Sequence, residues 1–270
     1  MLRPGTWVLV ATFAIGMLAA QRAHAGLVKL DGKDLYLDPG VPYTPFGLLT
    51  WSETGVVGLR VDKDGGAWIE TALPPASQSR IERIGKLQLS EAGDPEGRLT
   101  VTYVGLEAMY QRLEERHADE VERKKYLEDG LRSQMEAATD VELINKPDWI
   151  SSETPLVAEF DLKVPGWASN AGRRVTIPAA VFTAGEKGVF EHAQRIHPIY
   201  FAFPHLKADD LTIELPSGWQ TSSVPPPQNQ DGHVVLYTLK VEQGPRTVRL
   251  TRKFAVDFMM LEAKYYPPVA

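Results

Sequence analysis

The sharpest hydrophobic alternation lies near the end of the chain. In residues 246–258, Val248, Leu250, Phe254, Val256 and Phe258 share one side of an extended strand. Thr247, Arg249, Thr251, Lys253 and Asp257 share the other, and Arg252 interrupts the apolar side. Residues 155–164, 173–178, 198–203, 210–215 and 233–242 also read as strands. So do 81–89 and 98–104, where Leu99, Val101 and Tyr103 oppose Thr100 and Thr102. Residues 216–232 read as a loop with room for one short strand. The adjacent acids of "KADDL" (207–211) would point to opposite faces of an extended segment, and are read as a turn before a strand.

The period changes once, over residues 106–138. Leu106, Met109, Tyr110, Leu113, His117, Val121, Leu127, Leu131 and Met135 recur at three- and four-residue steps amid Glu, Lys and Arg. That predicts one long amphipathic helix with a solvated charged face. Many short strands with one helix predict a mainly β (α+β) chain, built as an antiparallel β-sandwich.

Towards the N-terminus, two short runs flank Asp31-Gly32, the dipeptide of a tight hairpin. Residues 39–51 hold three prolines and read as an ordered cover rather than a central strand. Residues 55–61 and 67–71 form a second hairpin around "DKDGG". That turn brushes a calcium-loop pattern, but Leu73 stands where the bidentate Glu belongs. Residues 72–79 read as a linker.

Arg3, the apolar run 7–20 and "AHA" at 23–25 have the layout of a Sec-type signal peptide, residues 1–25. The competing reading is a buried apolar element of the fold. Cleavage after Ala25 would remove Arg3 and Arg22 and take the net charge from −6 to −8. Export to the periplasm or medium is the expectation, with no membrane span after signal removal. The acidic balance argues against a nucleic-acid partner. The chain has no cysteine, which excludes disulfides, thiolate metal sites and thiol nucleophiles.

Chemistry-bearing constellations are sparse. His117, His192, His197, His205 and His233 show no metal-ligand spacing, so no metal or cofactor is expected. No nucleophile elbow or phosphate-binding glycine loop occurs. Trp149, Trp167 and Trp219 fall in predicted loops and are the candidate binding residues, as a stacking platform for sugars. The competing reading is that they plug the ends of the sandwich.

Residues 28–75, "VKLDGKDLYLDPGVPYTPFGLLTWSETGVVGLRVDKDGGAWIETALPP", resemble the end of the transglutaminase-like core in a family of bacterial exported proteins. Further segments are similar to the family's C-terminal region: "GRLTVTYVGLEAMYQR", "RIHPIYFAFPHLKADDLTIELPSGW" and "VRLTRKFAVDFMMLEAKYY". The resemblance implies a core remnant at 26–76, then a C-terminal β domain at 80–270. The family's core uses a Cys-His-Asp triad in which the aspartate orients the histidine. Asp38 matches the aspartate, His24 lies near the histidine position, and the cysteine is missing. Asp38 is therefore expected as a relic in a turn, with no catalytic residue in this chain.

Three functions follow as expectations. The first is a non-catalytic exported module that binds or stabilises something, such as another exported protein. The second is half of a split enzyme, completed by a separate transglutaminase-like core bearing the cysteine. The third is a carbohydrate-binding module.

Overall fold

The structure is a computed structural model that describes residues 8–12, 24–63, 65–135, 139–172, 174–179, 181–183 and 195–265. The described residues are mainly β, with two α-helices. The N-terminal part is a five-stranded antiparallel sheet. Its strands are β1 (Val8–Thr12), β2 (His24–Leu30), β3 (Lys33–Leu37), β4 (Val57–Asp62) and β5 (Gly65–Glu70), in the order β3-β2-β1-β4-β5. Asp31 (φ 49°) and Gly32 (φ 78°) turn the first hairpin with both φ positive, the geometry that an Asp-Gly pair accepts. β1, drawn from the apolar run read above as a signal segment, pairs with β2 on one side and β4 on the other.

The larger part starts at β6 (Arg80–Leu89) and β7 (Pro95–Val104). Helices α1 (Leu106–Glu114) and α2 (Glu120–Arg132) follow, then β8 (Asp140–Leu143) and β9 (Leu156–Lys163). Two short strands, β10 (Ser169–Ala171) and β11 (Arg174–Thr176), pair with each other. After β12 (Ile199–Tyr200) come β13 (His205–Glu214), β14 (Gln228–Asp231), β15 (Val235–Gln243) and β16 (Thr247–Val256). β17 (Met260–Leu261) returns to pair with β12.

Eight of these strands form one mixed sheet, in the order β14-β15-β16-β13-β6-β7-β9-β8. β13 and β6 run parallel and join its two halves. Alternation gives the central strands β6, β7, β9 and β13 one dry side. Leu87, Leu99, Phe160, Leu211 and Ile213 share the core cluster with Ala108 of α1 and with Leu127 and Leu131 of α2. On the opposite face Lys86, Arg98 and Asp161 are exposed. The expected β-sandwich is thus corrected: among the described residues, helices and loops cover the apolar face, not a second sheet. Alternation reports that one face is buried and is silent on what buries it. Gly85 is needed on this face, because a Cβ there would lie 2.6 Å from Leu211 Cδ2.

The single long helix is also corrected. Helix α1 ends at Glu114, and Asp119 restarts the chain as the N-cap of α2. Asp119 Oδ1 accepts from the backbone N–H groups of Val121 and Glu122, while Glu122 accepts from the Asp119 N–H. This reciprocal pair is a capping box. His117 and Val121, counted as part of the apolar stripe, are exposed, Val121 at 76%.

The segment 38–54 forms the joint between the two parts. Leu48 packs with Leu106, Met109 and Phe203, whereas the next residue, Leu49, packs with Ala25 and Leu27. Residues 72–79 are no free linker either. Ala76 is buried and its N–H donates to Asp257 at 2.7 Å, and Ser79 Oγ accepts from the first N–H of α1 at 3.1 Å.

Candidate functional site

Asp38 follows the last residue of β3 and is buried. Its Oδ1 accepts from the N–H groups of Gly40 (2.9 Å) and Val41 (3.2 Å), closing an Asx turn. Its Oδ2 accepts from Thr50 Oγ1 at 3.2 Å. Both carboxylate oxygens are therefore engaged within the segment itself. The pairing of Gly26 with Leu37 puts the backbone of His24 and Asp38 at the same end of the hairpin.

Beside Asp38 lies a second acid that the sequence did not single out. Glu53 is 2% exposed, and its Oε2 has no hydrogen-bond partner among the described residues. Burial, and then the neighbouring Asp38 charge, push its carboxyl up to about 7. Thr50, Thr54 and Thr71 are buried around the same turn. Thr71 Oγ1 donates to the Glu53 carbonyl at 2.6 Å, and Thr54 Oγ1 lies 3.0 Å from both the Leu49 and Thr50 carbonyls. No local pattern in "TWSET" marks Glu53 as the buried acid.

The three candidate tryptophans are not gathered into a platform. Trp167 is 8% exposed and belongs to the main core, and Trp149 and Trp219 are half-buried against it. The Arg123 guanidinium lies 5.2 Å from the Trp149 ring centroid. Among the described residues, the strongly exposed tryptophans are Trp51 (62%) and Trp68 (67%), both in the N-terminal part.

The main sheet holds a buried ionic row that runs across three strands. Asp209 on β13 is in register with Arg83 on β6 and with Arg252 on β16. Arg83 Nη1 donates to Oδ1 at 3.0 Å and Arg252 Nε to Oδ2 at 2.7 Å, and all three residues are buried. The Arg83 guanidinium also lies 4.9 Å from the Phe182 ring centroid. The partner of Arg252, the residue that broke the apolar pattern, is thus an acid on the neighbouring strand. Asp209 and Asp210 do point to opposite faces, but inside β13 and not in a turn. Asp210 takes a two-pronged pair from Arg249 on the exposed side. Near the row, burial pushes Glu107 on α1 up to about 7, although Lys207 and Arg83 pull it down.

No group of three His, Asp or Glu residues suited to a metal occurs among the described residues. His117 is exposed in the turn between the helices, His205 packs among Phe201, Phe203 and Phe254, and His192 lies outside the described residues. An open groove of about 780 Å³ crosses the exposed face of the main sheet. Its charges are mixed and partly paired with each other, as in Arg98–Asp161 and Lys163–Glu96. Among the described residues, no helix is long and apolar enough to cross a membrane.

Comparison with known proteins adds two findings. Residues 173–269 match the model of a family described as a domain of unknown function with a solved structure, DUF3858. The matched segment contains β13, β14, β15 and β16, one contiguous half of the main sheet, up to its parallel junction with β6. The chain is also similar to a solved structure from Parabacteroides distasonis described as a "putative protease", at 12% identity and a TM-score of 0.45. That similarity covers 98% of this chain, which spans 36% of the length of the other. No curated protein matches the chain.

Proposed function

We propose that this chain is a non-catalytic, exported β-rich module that binds or stabilises a partner, similar to the accessory C-terminal region of transglutaminase-like proteins. The observation that carries this reading is the state of Asp38 in a chain without cysteine. An aspartate of a thiol triad works only by orienting a histidine for a nucleophile. Here both its oxygens serve a turn and Thr50, and the chain supplies no thiol. The match of residues 173–269 to a domain of unknown function assigns no chemistry. The purified protein is expected to show neither peptide hydrolysis nor transamidation, and turnover that depends on Asp38 would reject the reading.

A second reading is a split enzyme completed by a separate cysteine-bearing chain. The observation in its favour is the backbone placement of His24 and Asp38 at one end of the β2–β3 hairpin. It predicts that a cysteine-bearing core co-purifies with this chain and that Asp38→Ala removes the activity of that complex. A carbohydrate-binding role finds less support, because Trp149, Trp167 and Trp219 pack on the core.

Export is part of the proposal and has its own test. Cleavage after Ala25 would remove β1 and cut within β2. N-terminal sequencing of the protein recovered outside the cytoplasm is expected to begin at Gly26. A first residue ahead of Val8 would instead keep the apolar run as part of the sheet.

A further inference from the structure

We propose that Asp38 and Glu53 form a proton-dependent clasp that closes the joint between the N-terminal sheet and helix α1. The inference goes beyond the accessory role and stands on where the pair sits. Both acids are buried within the segment 38–54. That segment sends Leu48 into the cluster with Leu106 and Met109, and Leu49 into the cluster with Ala25 and Leu27. Asp38 is tied down by two N–H groups and a hydroxyl. Glu53 Oε2 has no such partner among the described residues. A protonated Glu53 leaves one charge in the buried space. A deprotonated one puts two like charges there, with only the Asp38 charge hydrogen-bonded.

Among the described residues, the groups around Glu53 do not offset that second charge. The turn at 38–41 presents Asp38, and the Glu53 turn and Thr71 present hydroxyls. β3 presents Tyr36, whose phenol is held above its ordinary value and stays neutral. Arg60 on β4 lies on the same sheet face as Ile69 and has an interaction of its own. Asp38 is the charged group that acts on Glu53, and it raises the carboxyl. Release of the proton is therefore relieved by opening the 50–54 turn, which the Glu53 N–H to Thr50 carbonyl bond (3.0 Å) otherwise closes.

The test is amide hydrogen exchange on the full chain, read on peptides covering residues 48–56 and corrected for the intrinsic effect of pH. Protection there is expected to fall on the order of 50-fold between pH 5 and pH 8, and to be flat in Glu53→Gln. Flat protection in the wild type, or an unchanged pH dependence in Glu53→Gln, would overturn the proposal. If the variant does not fold, the carboxyl carbon of Glu53 is titrated by NMR in the wild type. A midpoint near neutrality supports the clasp, and a midpoint in the ordinary carboxylate range overturns it.

Discussion

Asp209 and Arg252 face each other across β13 and β16, with Arg252 Nε donating to Asp209 Oδ2 at 2.7 Å in a site closed to solvent. Arg83 holds the other oxygen from the opposite side. Removing the acid would leave two guanidinium groups buried with their shared counter-charge gone. Asp209→Ala is therefore expected to destabilise the protein by about 3–5 kcal/mol in chemical denaturation. The neighbouring Asp210→Ala breaks only an exposed pair with Arg249 and should cost about 1 kcal/mol or less.

Glu53 ties stability to pH with a definite sign. Its folded-state carboxyl titrates near 7, above its ordinary value of 4.5, so the native state holds this proton more tightly than the unfolded chain. Its contribution is fully present below the ordinary value. It declines as pH rises and is lost once pH passes the folded value. Glu53→Gln is expected to match the wild type near pH 4.5 and to exceed it by up to ~3 kcal/mol at pH 8. Glu107 shifts in the same direction, so Glu107→Gln made alone separates the two contributions.

Asp119 separates the two helices. Its side chain accepts from the Val121 and Glu122 N–H groups in the first turn of α2 and completes the capping box. Asp119→Ala should cost about 1 kcal/mol, measured as a lowered denaturation midpoint with an unchanged slope.

Trp167 is buried and belongs to the main core cluster, which also holds Phe160 and Val164. Trp167→Ala is expected to cost about 3–5 kcal/mol by opening a cavity. Glycan binding by the wild type that vanished in a fully folded Trp167→Ala protein would restore the sugar-platform reading.

Much of the sheet was legible because strand alternation is a local property. The Asp31-Gly32 hairpin and the odd position of Arg252 could both be read from spacing. The partner of Arg252 could not, since Asp209 lies 43 residues away and only strand pairing brings them together. The helix break was hidden because Leu113, His117 and Val121 kept the period across it, while the Asp119–Glu122 cap sat among ordinary surface charges. Loop position predicted nothing about the tryptophans: Trp167 is buried, whereas Trp68, inside β5, is exposed. Asp38 stood out as the acid that ends the hairpin, but its neighbour Glu53 becomes notable only through burial, which is a tertiary property.

The most direct test is activity of the purified chain on peptide and glutamine–amine substrates, with Asp38→Ala measured in parallel. Both proteins are expected to show background rates only. Turnover by the wild-type chain alone that disappears in a folded Asp38→Ala protein would contradict the non-catalytic reading.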